Sequence, residues 1–227
     1  MVKNMRAVFV ISLVDRTDRL DAFSRRYAAI DWHPDTRFVH VVAADPSHSS
    51  LQPDGDFAAS ARSSVDSTSR RRDRHRACAL SHILALQKAE TLRLCPAMIC
   101  EDDLQLTKEG ALRRVPLPST AALVSVGHDA AVTASAPIAY SPENAEALVA
   151  AKERGPKSST AAYVIPTRPK SAELRGRLEL ELRAGLRAPL DAILFHPRLF
   201  ENHTHSVNLT KKPLFVQDPT SWSSIQS

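Results

Sequence analysis

The sequence predicts an α/β protein, an α/β/α sandwich around a mostly parallel central sheet. Three observations carry this expectation. Short apolar, β-branched runs alternate with amphipathic segments along almost the whole chain. The first of these runs is apolar on both faces, as a strand covered by helices on either side must be. At 227 residues the chain is long enough for one such domain with a proper core.

The elements follow in order. "AVFVISL" (7–13) reads as a doubly buried strand. In the next segment Leu20, Phe23, Tyr27 and Ile30 recur at helical spacing, with Thr17 placed to cap the helix. "RFVHVVAA" (37–44) is the second strand, so the chain opens β-α-β, the unit of a parallel sheet. Residues 45–73 lack periodicity and are rich in Ser, Asp, Pro and Arg, which predicts a long polar loop. A helix over 76–94 follows, with Leu80, Ile83, Leu84, Leu86 and Ala89 on its buried side. "AMIC" (97–100) and "TAALVSVG" (120–127) are strands. "SPENAEALVAAKERG" carries Ser141 as cap, Pro142 in the first turn and Gly155 as stop, the marks of a helix. "TAAYVIP" (160–166) predicts a strand, 170–185 a helix and "PLDAILF" (189–195) the start of a short helix. From about residue 196 the tail reads as irregular, apart from a last strand at "PLFVQ".

Composition narrows the function classes. Hydrophobic content of 43% and charged content of 24% are ordinary for a globular protein. A net charge of +5 suits anionic partners such as nucleotides, sugar-phosphates or anionic lipid surfaces. Aromatic residues at 5% are too sparse for a base-stacking platform, so nucleic acid is a poor fit. The basic run "SRRRDRHR" (69–76) lacks interleaved aromatics and reads most simply as a solvated loop, or as a contact for an anionic substrate. The three cysteines are odd in number and form no CxxC, which disfavours a disulfide framework and points to a reducing compartment. Their spacing is also wrong for a cysteine-based zinc site. Cys78 is expected to pack in the core. No apolar run approaches ~18 residues, so no membrane span is expected. The first residues read as a core strand rather than a signal peptide. A cytoplasmic location is therefore expected, and the basic charge is compatible with peripheral contact at a membrane.

The chemistry concentrates in "ICEDD" (99–103), where a strand ends in Glu101, Asp102 and Asp103. Ligands of parallel sheets bind at the carboxyl ends of the strands. Carboxylates there can hold a hard divalent cation, with a substrate phosphate completing the shell. If the chain stays extended, Glu101 and Asp103 share a face and Asp102 takes the other. The plain alternative is a solvated acidic turn.

Seven short blocks follow one another along the chain. They are "VISLVDRTDR" (10–19), "AAD" (43–45), "ACALSH" (77–82), "ICEDD" (99–103), "AYVIP" (162–166), "PLD" (189–191) and "Q…SSI" (217–225). Together they resemble glycosyltransferase family 25, the lipooligosaccharide galactosyltransferase-like family that also includes the collagen galactosyltransferases. The chain departs from the family pattern at Ser12, where the family has Asn, at Val14, an extra residue, at Ala77, where it has Gly, and at Pro166, where it has Ser or Thr.

The resemblance implies a GT-A-like fold in a single domain, 1–227. Its first half, about 1–104, would bind the nucleotide-sugar, and its second, about 105–227, the acceptor. It implies a UDP-sugar donor, Mn²⁺ or Mg²⁺, and inverting transfer of a hexose, galactose first among them, to a saccharide or other hydroxyl acceptor. On this basis Glu101 and Asp103 hold the metal and Asp102 lies near the donor ribose or sugar. Ser12, Asp15, Arg16 and Arg19 fall where a uridine or phosphate site belongs, although Arg16 and Arg19 equally suit a charged first helical turn. Ser81 and His82 reach the nucleotide or the sugar, or His82 is a satisfied core histidine. Asp191 is the general base, or else a helix N-cap. His196, His203 and His205 in the tail are a further metal ligand or simply exposed. A relative that keeps the fold and binds a glycan or nucleotide without turning it over is the alternative to an active transferase.

Overall fold

The computed structural model describes residues 5–28, 32–45, 67–106, 121–125, 162–186, 190–194, 206–209 and 215–217. Its centre is a six-stranded sheet in the order β2-β1-β3-β6-β5-β7. The strands are β1 (Ala7–Ser12), β2 (Arg37–Val42), β3 (Ala97–Glu101), β5 (Ala121–Ser125), β6 (Ala162–Ile165) and β7 (Ser206–Leu209). β1 runs parallel to both β2 and β3. β6 is antiparallel to its neighbours β3 and β5, and β7 pairs parallel with β5. The mostly parallel α/β sheet is thus present, in an arrangement consistent with a GT-A-like fold. A separate two-stranded ribbon joins β4 (Leu104–Leu106) to β8 (Phe215–Gln217).

The period-2 rule divides the sheet into two faces. Val8, Val10, Met98, Cys100, Ala162 and Val164 point to one side. There they meet Phe23 and Tyr27 of α1 (Thr17–Ala28), whose rings stack at 3.8 Å. Phe9, Ile11, Ile99, Tyr163 and Ile165 point to the other. That side is covered by α2 (Ser67–Leu92), α3 (Arg168–Arg183) and α4 (Leu190–Leu194), through Ile83, Leu86, Ala89, Leu174, Leu178, Leu182, Leu190 and Ile193. All of β1 and β3 is buried, as apolar runs sandwiched between helix layers require. Thr167 and Pro169 open α3, and Gly185 closes it at φ 94, a left-handed conformation that suits a helix C-terminus.

Two expectations need correction. The helix expected over 76–94 begins nine residues earlier, at Ser67, so the last part of the expected loop and the whole basic run "SRRRDRHR" are helical. Arginine is a good helix former, and no Gly or Pro interrupts 67–92. The run lacks only the apolar stripe that makes a helix legible. The tail is also not wholly irregular before "PLFVQ", because Ser206–Leu209 forms the edge strand β7. The helix expected over 141–155, Ile30 and His196, His203 and His205 lie outside the described residues. Among the described residues no helix is long and apolar enough to cross a membrane.

Candidate functional site

Because β1 and β3 are parallel and in register, Ile11 against Glu101, their carboxyl ends finish at the same edge of the sheet. That edge gathers most of the buried polar residues among those described. Ser12, Ser81, His82, Glu101, Asp102 and Asp103 are all buried. The strand ends at Glu101, and Asp102 and Asp103 form the turn into β4. Glu101 therefore follows the strand alternation, while Asp102 and Asp103 are placed by the turn, so the shared face expected of Glu101 and Asp103 in an extended chain does not follow.

Asp102 sits on the α1 side. The Ser12 hydroxyl donates to its Oδ2 at 2.6 Å, and Arg19 Nη1 lies 3.8 Å from its Oδ1. Arg26 Nη2 donates to the Asp102 carbonyl at 3.4 Å. Arg19 and Arg26 are seven residues apart on α1, so one helix face delivers both. Burial pushes the Asp102 carboxyl above its ordinary value, and the Ser12 hydrogen bond and Arg19 pull it back only in part. Arg16 turns instead to Asp18, at 3.1 Å, on the first turn of α1. The mutual bond lowers the Asp18 carboxyl and raises the Arg16 guanidinium. Asp15 is exposed beside them.

Glu101 sits on the α2 side. Its Oε1 is 3.8 Å from His82 Nε2. His82 Nδ1 shares a hydrogen bond of 2.8 Å with the Tyr163 hydroxyl, and the two rings stack at 5.6 Å. Cys78, one helical turn before His82, adds its sulfur. The Cys78, His82 and Glu101 ligand atoms all lie within 4.8 Å of one another. Burial raises the Tyr163 phenol well above its ordinary value, with Cys78 and Glu101 adding to the effect, so the ring stays a neutral hydrogen-bonding group. Ser81 faces away from this cluster in its bonding. It donates to the Ala77 carbonyl at 2.7 Å and accepts from the Ala44 amide at 2.9 Å, tying α2 to the chain leaving β2.

The three adjacent acids are thus divided by the sheet. Asp102 meets cations of α1, and Glu101 meets the histidine of α2. Ser12, Arg19, Ser81, His82, Glu101, Asp102 and Asp103 come together at one sheet edge, with Asp15 and Arg16 at its exposed rim. Asp191 is the second residue of α4, and its side chain lies outside the described residues. Sequence reasoning missed three contributors. Arg26 was signalled only by its seven-residue spacing from Arg19; Cys78 packs against the core as expected, and its place beside His82 was signalled by their four-residue spacing within the block "ACALSH". Tyr163 stood in the block "AYVIP" of the resemblance, but nothing in the sequence pointed to its hydroxyl as a partner of His82.

Residues 5–115 match the model of glycosyltransferase family 25, described as an LPS biosynthesis protein. The matched stretch includes every residue of this edge except Tyr163. No curated protein matches the chain.

Proposed function

Starting from a chain whose residues 5–115 match glycosyltransferase family 25, we propose that it moves a hexose, galactose by preference, from a UDP-sugar to a hydroxyl of a saccharide acceptor by a metal-dependent inverting displacement. The observation that carries this reading is the burial of Glu101, Asp102 and Asp103 together at the carboxyl end of a parallel strand, beside Arg19. Such an edge is where sheets of this class take ligands. Buried carboxylates offer the oxygen ligands that Mg²⁺ and Mn²⁺ prefer, so the donor set fits a hard cation.

Glu101 and Asp103 would hold that cation. When bound, it would supply positive charge against the donor diphosphate as the bond to the sugar breaks. Arg19 and, from the rim, Arg16 add charge of the same sign for the diphosphate. Asp102, held by Ser12 and Arg19, orients the arginine and faces the ribose or sugar. Asp15 completes the uridine side, and Ser81 and His82 bound the pocket from α2. Asp191 takes the proton from the acceptor hydroxyl on the far face of the sugar. Residues 1–104 then bind the donor and 105–227 the acceptor.

Asp103→Asn is the test. It removes one anionic ligand while keeping size and hydrogen-bonding shape. UDP binding in the wild type should tighten on adding Mn²⁺, and the variant should lose both that enhancement and hexose transfer. Equal UDP affinity with and without Mn²⁺ in the wild type would exclude the metal-clamp reading.

A further inference from the structure

We propose that Cys78, His82 and Glu101 form a second kind of metal site, one for a borderline-soft transition cation of the Zn²⁺ class, on the α2 side of β3. Cys78 and His82 are one turn apart on α2, so they present Sγ and an imidazole nitrogen along one stripe. Glu101 closes the group from the strand. Tetrahedral Zn²⁺, with sulfur at about 2.3 Å and nitrogen or oxygen at about 2.0–2.1 Å, sets its ligand atoms roughly 3.3–3.6 Å apart. The three atoms already lie within 4.8 Å, and the His82–Glu101 pair is at 3.8 Å. Small rotations of the side chains close the difference.

A second observation points into the same space. His82 is 1% exposed, and its Nε2 has no hydrogen-bond partner. A buried ring nitrogen without a partner is costly, and a metal ion removes that cost. The other ring nitrogen is held by Tyr163 at 2.8 Å. If Nδ1–H donates to the phenol oxygen, Nε2 is left with a lone pair aimed at Cys78 and Glu101. This is the outer-shell support that metal-binding histidines generally have. Charge also balances. The Cys78 thiol gives its proton to solvent, and thiolate plus carboxylate neutralise a divalent cation, leaving no net buried charge. Three protein ligands leave a fourth position for water or a ligand oxygen. Spacing among cysteines alone cannot reveal such a mixed set.

This site and the donor site share Glu101 and part at two other positions. Cys78 is outside the donor clamp, and Asp103 is outside this one. The test is a Co²⁺ titration of the 227-residue chain after chelator treatment. One equivalent should bind with a sulfur-to-cobalt charge-transfer band, and Zn²⁺ should displace it. Cys78→Ser should abolish the band, with Cys78→Ala as the second variant should the first fail to fold. Tyr163→Phe should keep the band but weaken affinity roughly ten- to a hundredfold. Asp103→Asn should keep band and affinity while losing Mn²⁺-dependent UDP binding, so the two sites fail separately. Absence of the band in the wild type, or its survival in a folded Cys78 variant, overturns the proposal.

Discussion

Ser12 is one hydroxyl on a strand that is otherwise apolar, and its value lies in the carboxylate it faces. Asp102 is buried and its acid is already raised by that burial. The Ser12 hydroxyl, at 2.6 Å, is a short charge-assisted donor in a water-poor place. Ser12→Ala should therefore destabilise the protein by about 1.5–3 kcal/mol, more than the loss of a neutral hydrogen bond. Urea denaturation of the variant checks this, and a change within about 0.5 kcal/mol, the range of a bland substitution, would count against it. Ser12 was legible as a site residue only through the resemblance, as the position where the family has Asn. Its partner was not, because the contact spans ninety positions in the sequence. The same holds for Tyr163 beside His82, separated by eighty-one. Residue types show what chemistry is available, whereas pairing between distant residues is decided by which strands become neighbours.

At the scale of elements, α2 and α3 bind each other through two kinds of contact. The apolar one sets Leu86 and Ala89 with Leu174, Leu178 and Leu182 in one buried cluster. The polar one runs along its margin. Arg175 Nε lies 3.1 and 3.2 Å from the two oxygens of Glu90, and its Nη1 lies 2.6 Å from Glu179. These groups are partly exposed, so solvent screens them. Arg175→Ala should cost about 1 kcal/mol or less. Leu178 is 0% exposed, and Leu178→Ala should cost about 2–5 kcal/mol. Equilibrium denaturation of the two variants should rank them in that order, and the reverse order would mean that ion pairing, not packing, fastens α3. Legibility follows the same physics. β1, β3 and the latter half of α2 could be read because burial writes an apolar period into the chain. The sequence of the first turns of α2 carries no such stripe, and β7 is a four-residue strand with alternating Ser206 and Asn208, so neither stood out.

At the scale of the whole molecule, the sheet joins parts of the chain that sequence comparison treats separately. The family match stops at residue 115. Yet β3, which carries the acidic edge, has β1 on one side and β6, from residues 162–165, on the other. Ala97, Met98, Ile99 and Cys100 are each registered against a residue of β6. Without β6, β3 becomes an exposed apolar edge, which invites aggregation. Without α3, the face of α2 that meets Leu174, Leu178 and Leu182 loses most of its cover among the described residues. The direction of β6 was not legible from the order of elements, since an alternating pattern predicts parallel neighbours. It is that antiparallel strand which lets the later chain close the earlier sheet. A fragment of residues 1–115 should therefore contain the acidic triplet and the α2 ligands and still not fold alone. Far-ultraviolet circular dichroism should show no cooperative thermal transition for the fragment, while the full chain melts in one. A fragment that melted cooperatively and bound Co²⁺ through Cys78 would show that β6 and α3 are additions to a self-sufficient unit rather than part of its core.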